Sequence, residues 1–164
     1  MKRREFIKFT SFTFITFNTS FVVAKVFEKE SLLILDEIFK ILFPKTKNMP
    51  SAKEFSALNF LVKNIAHESF YNDEKTFILQ GLEDFKTSFP NFINLSDLDK
   101  KILIETIVNT NSYAQSWLSK LVYYGLEAMF SDPMYGGNKN QVAWKSVAHS
   151  VGYPRPKLKY GQKL

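Results

Sequence analysis

Apolar residues recur at helical spacing through most of this chain. Over "EKESLLILDEIFKILF" (28–43), Leu32, Leu35, Ile38, Phe39 and Leu42 fall on one face, and Pro44 stops the run. After the loop "PKTKNMP" (44–50), "SAKEFSALNFLVKNIAHESF" (51–70) puts Phe55, Leu58, Leu61, Val62 and Ile65 on one side of a second helix. Asp73 is placed to cap "EKTFILQGLEDFKTSF", which Pro90 closes. In "FINLSDLDKKILIETIVN", Ser96 stands three residues before Asp99, a capping-box-like start with the shorter acid. The last pattern, "SYAQSWLSKLVYYGLEAMF" (112–130), is aromatic and apolar around much of its circumference, as a central or interface helix would be. No strand-like alternation of useful length competes, and no repeat is visible. The pattern predicts an all-α fold: a small irregular helical bundle over 25–131, with a non-helical C-terminal arm over 132–164 in the same domain.

The first two dozen residues follow another rule. Lys2-Arg3-Arg4-Glu5-Phe6-Ile7-Lys8 precedes "FTSFTFITFNTSFVVA" (9–24), which carries no charge and is rich in Thr and Ser. A basic start, a short and mildly apolar stretch, then Val22-x-Ala24 at a small-residue cleavage position describe an export signal over 1–24. Arg3, Arg4, Phe6 and Lys8 fit the twin-arginine pattern R-R-x-F-[LI]-K, although Lys2 replaces the Ser or Thr often found just before the pair. An ordinary secretory signal or an uncleaved anchor is the plainer alternative; the stretch is short and hydroxylated for a membrane span. The expected location is the periplasm.

Charge and composition narrow the chemistry. The chain has 164 residues, seventeen of them Phe, and no Cys, which excludes disulfides, thiolate metal sites and covalent haem of the C-x-x-C-H kind within it. Without 1–24 the charge falls from +6 to +3, too modest to suggest nucleic acid for an exported protein. The asymmetry that remains is local: no acid follows Asp132, while Lys139, Lys145, Arg155, Lys157, Lys159 and Lys163 do. Only two His exist. His67-Glu68 fails the H-E-x-x-H pattern because residue 71 is Tyr, and His149 has no companion base or nucleophile in sequence. No dinucleotide fingerprint, phosphate loop or serine elbow occurs. The expectation is a chain with no catalytic residues, no metal and no cofactor of its own.

The exceptional stretch is "SDPMYGGNKNQVAW" (131–144). Asp132 before Pro133 ends the preceding helix, Gly136-Gly137 admits a sharp turn or a close backbone approach, and Asn138 tolerates the left-handed region. Tyr135, Trp144 and Tyr153 combine an apolar body with a polar tip, as residues at docking surfaces do. Packing back onto the bundle and docking a partner are both open for these rings.

The stretch "GLEAMFSDPMYGGNKNQVAWKSVAHSVGYPRP" resembles the C-terminal signature of the gluconate 2-dehydrogenase subunit 3 family, D-P-x-Y-G-G-N, then Gly-Trp-Lys, then Gly-[FY]-P. Asp132, Pro133, Tyr135, Gly136, Gly137, Asn138, Trp144, Lys145, Gly152, Tyr153 and Pro154 match it. Ala143 departs from it where Gly usually precedes the Trp, the spacer "SVAHS" is longer, and Arg155 takes a position often held by Gly. The resemblance implies a small subunit of a periplasm-facing, membrane-associated FAD-dependent sugar or sugar-acid dehydrogenase. In that arrangement a large flavoprotein subunit carries FAD and the catalytic residues, and a cytochrome c subunit, where present, takes the electrons onward. The small subunit accompanies the folded flavoprotein through the twin-arginine translocase. Asp132, Pro133, Tyr135, Gly136, Gly137, Asn138, Trp144, Gly152, Tyr153 and Pro154 become the candidates for docking it. Two other readings stay open: a stand-alone periplasmic binding or scaffold protein with the arm as a ligand lid, and an enzyme using His67 or His149 with Asp132.

Overall fold

The computed structural model describes residues 27–153, and no strand occurs among them. The helices are α1 (Lys29–Leu42), α2 (Ala52–Phe55), α3 (Ala57–Ala66), α4 (Asn72–Ser88), α5 (Asp97–Thr110), α6 (Ser112–Phe130) and α7 (Val142–Ser146). Short 3-10 turns occupy Phe92–Asn94, Pro133–Tyr135 and Lys139–Gln141.

The amphipathic patterns become the core largely as they read. Leu35, Ile38 and Phe39 of α1 are buried, with Ile34 beside them, while Leu32 and Leu42 are half-buried at the margin. The nearly all-round apolar character of 112–130 has a direct cause: α6 packs against α1, α2, α3, α4, α5 and α7. A helix surrounded by others must be apolar on several faces. Trp117 is its anchor, fully buried, with its indole N–H donating to Ile78 O at 3.1 Å. The ring lies where α4 has Gly81, at which a Cβ would come within 2.2 Å of it.

Three local expectations need correction. The helix read over 51–70 is two helices and stops at Ala66. Ser56 adopts the left-handed conformation (φ 63°, ψ 45°), closing α2 and opening α3. Phe55, Leu61, Val62 and Ile65 are buried nonetheless, so the apolar spacing carries no trace of the break. Asp73 does not cap α4; Tyr71 occupies the cap position, and Asp73 lies in the first turn, where a carboxylate still favours the helix dipole. The arm is not wholly non-helical, because α7 and two 3-10 turns lie within 133–146; residues 154–164 lie outside the described residues.

Capping follows sequence more closely elsewhere. Ser96 accepts from Asp99 N at 3.2 Å and starts α5, and Asn111 accepts from Ala114 N at 3.0 Å and starts α6. Ser51 and Glu54 form a full capping box at α2. Hydrogen bonds from Lys45, then from the Ser51 backbone and hydroxyl, pull the exposed Glu54 carboxyl down to about 2.

Candidate functional site

The arm begins where α6 ends. Asp132 is extended, as a residue before proline should be, and its Oδ1 accepts from Met134 N at 3.0 Å. Pro133 then supplies the first residue of a 3-10 turn that Tyr135 N closes onto Asp132 O. Gly136 follows at φ 97°, a left-handed geometry that favours glycine, and its carbonyl accepts from the Asn59 side chain of α3 at 2.8 Å. Gly137 serves a different need. A Cβ there would sit 2.3 Å from Ala128 O and 2.7 Å from Ala128 Cα, so only glycine lets the arm lie against the α6 backbone.

Asn138 locks this approach. It is fully buried at φ 40°, and its N–H donates to Ala128 O at 2.6 Å. Its side-chain Oδ1 accepts from Ala143 N at 3.0 Å and its Nδ2 donates to Ser131 O at 3.3 Å. One side chain therefore joins the end of α6 to the start of α7. Trp144 closes the loop from the other side, its indole N–H donating to Phe130 O at 2.9 Å. Ala143 is fully buried within α7, so the residue that replaces the usual glycine is accommodated as a helical core position.

The docking candidates thus divide. Asp132, Pro133, Gly136, Gly137, Asn138 and Trp144 shape the arm and hold it to the bundle. Tyr135 is 37% exposed and Tyr153 84% exposed, and Gly152 has open space around it. Pro154 and the signal residues Arg3, Arg4, Phe6 and Lys8 lie outside the described residues.

The two histidines take up local partners. His67 sits just past the end of α3 rather than within it, and its Nδ1 is 2.8 Å from Ser69 Oγ. His149 packs its ring edge-on to Trp144 and donates its backbone N–H to Trp144 O at 2.8 Å. Among the described residues no group of three or more His, Asp or Glu could hold a metal ion. No helix there is long and apolar enough to cross a membrane.

Two features of α6 were not legible in sequence. The Glu74 carboxylate of α4 accepts from Tyr124 OH and from Lys120 Nζ, and these bonds hold its carboxyl below the usual range. Burial, then Glu74, pushes the Tyr124 hydroxyl well above its ordinary value. The partners are 46 and 50 residues apart, so no local pattern announces them. The second is an open recess of about 360 Å³ beside the arm, lined by Phe60, Asn64, Glu127, Ser131 and Tyr135. Ser131 Oγ is buried there and has no hydrogen-bond partner among the described residues.

These observations define a helical protein whose C-terminal arm is clamped to a central helix through one buried asparagine and one close-approach glycine. The chain matches the gluconate 2-dehydrogenase subunit 3 family over residues 29–152 and belongs to it. No curated protein and no solved structure matches the chain.

Proposed function

We propose that this chain is the non-catalytic small subunit of a periplasmic, FAD-dependent gluconate 2-dehydrogenase-like complex, serving export, assembly and stability of the flavoprotein subunit. The observation that carries the reading is membership of the subunit 3 family across almost the whole helical body and arm. A chain whose conspicuous motif builds a clamp, rather than a nucleophile or a phosphate loop, suits an accessory role. The clamp also gives little support to the lid reading. A lid needs a hinge, whereas this arm is fixed at Gly136, Gly137, Asn138 and Trp144.

In this reading FAD and the catalytic groups belong to the large subunit, and a cytochrome c subunit, where the complex includes one, follows it in electron transfer. A flavin must be inserted before crossing, so the cargo crosses folded, and the twin-arginine translocase carries folded passengers. Arg3, Arg4, Phe6 and Lys8 supply the address for both chains. The small subunit stabilises its partner by mass action, because it binds the folded form and not the unfolded one.

The test is fractionation of cells carrying Arg3→Lys with Arg4→Lys. The expected result is that both this chain and the flavoprotein stay in the cytoplasm. Periplasmic flavoprotein in that strain would contradict the carrier role.

A further inference from the structure

The bundle takes hold of the chain before its first helix begins. Phe27 is 4% exposed and belongs to the hydrophobic core, two residues ahead of α1. Glu28 follows at the cap position, and its carbonyl accepts from Leu32 N at 3.1 Å. Lys86, in the last turn of α4, donates to the Glu28 carboxylate at 2.7 Å and lies 3.5 Å from that of Glu30. The Glu28 side chain is 74% exposed, so these ion pairs add little. Burial of the Phe27 ring is what fixes this end of the bundle.

Only Lys25 and Val26 separate Phe27 from Ala24, the small residue at which the leader pattern places its cut. A protease of this kind takes its substrate as an extended strand, with residues on both sides of the scissile bond laid along its cleft. From Ala24 to Phe27 the chain reaches at most about 11 Å, so the cleft meets the bundle at once. The next small residue downstream offers no second site, because Ser31 is 2% exposed inside α1. The order of events then decides the outcome. A chain threaded across the membrane unfolded meets the protease before Phe27 is buried. A chain that crosses folded meets it with Phe27 already in the core.

We propose that burial of Phe27 protects the peptide bond between Ala24 and Lys25 from signal peptidase, so that the leader stays on the folded, exported chain as its attachment to the membrane. The proposal rests on the export reading for folded passage. The retained stretch 9–24 is uncharged and holds five Phe. Such residues attach a chain at the lipid interface without needing a full span.

The test uses the full chain and a variant with a short Gly-Ser linker inserted between Lys25 and Val26. The linker moves the bond clear of the bundle and leaves Phe27 where it packs, which equal helical content in the two chains confirms. Both are offered folded to purified signal peptidase and read by intact mass. The linker variant is expected to lose residues 1–24 at least about tenfold faster than the wild type, because cleavage of the wild type must wait for local opening. In cells, the wild type from membrane and periplasmic fractions is expected to keep its full mass, and the linker variant to be shortened. Equal rates for the two chains, whether both are cut or both stay whole, overturn the proposal, since burial then does not govern the bond. A wild-type chain found shortened in the periplasm also overturns it and leaves the export reading standing. A wild-type chain that resists the peptidase but never leaves the cytoplasm ends the export reading, and the membrane attachment with it.

Discussion

Asn138 makes four hydrogen bonds from a fully buried position: its backbone donates to Ala128 O and accepts from Gln141 N, and its amide bonds Ala143 N and Ser131 O. Alanine would keep the backbone pair and lose the amide pair, leaving a buried N–H at Ala143 and a carbonyl at Ser131 without those partners. Each orphaned group costs about 1–3 kcal/mol. Asn138→Ala is therefore expected to destabilise the protein by about 2–4 kcal/mol in urea unfolding, with most of the loss from the two amide bonds. A change below about 0.5 kcal/mol would mean the clamp contributes nothing to stability. Sequence marked Asn138 as a residue that tolerates left-handed backbone, and its φ of 40° agrees. It did not show the two side-chain bonds, because their partners are chosen by where α6 and α7 end.

At the scale of elements, the two adjacent glycines do unlike work and should respond unlike. Gly136 needs its positive φ, but the atoms a Cβ would crowd are side-chain ones, Cδ of Lys63 at 2.9 Å and Nδ2 of Asn59 at 3.2 Å, which can give way. Gly136→Ala is expected to cost about 1–2 kcal/mol, the penalty of left-handed backbone for an L-residue. Gly137 faces the backbone of α6, which cannot yield. Gly137→Ala should cost about 3 kcal/mol. It should also speed hydrogen exchange at Asn138 N–H and at the Trp144 indole, as the arm lifts from α6. Equal effects from both substitutions would show that backbone conformation, not the approach to Ala128, limits this segment. The glycine pair was legible as a turn or a close approach; the structure assigns one function to each member. Helix positions were legible wherever apolar spacing and caps agreed, as at Ser96. They failed at Ser56, because a serine in left-handed conformation leaves the 55-58-61-62-65 pattern intact and has no glycine or asparagine to flag it.

At the scale of the molecule, a single arrangement joins the bundle to its arm. The apolar circumference of 112–130 reads as either a central helix or an interface helix, and α6 is central on most sides while Tyr123, Leu126 and Phe130 stay exposed. The arm crosses the end of that helix, buries Ala143 and Trp144, and sets Tyr135 at the edge of the recess. The exposed face was not legible as such, since Tyr, Leu and Phe spaced along a helix read equally well as core. Only the positions of α3, α4 and α5 decide which side of α6 they cover. The family was legible because its signature lies in the arm, where backbone geometry restricts residue choice most tightly. What that membership implies for cargo and export is a matter of partners, which a single chain does not contain.

The most direct test of the account is capture of the C-terminally tagged full chain from periplasmic and membrane fractions of its own cells, read by flavin absorbance and by the masses of the components. The account predicts a yellow complex containing a much larger flavoprotein, with sugar or sugar-acid dehydrogenase activity. A colourless chain recovered alone and folded would contradict it.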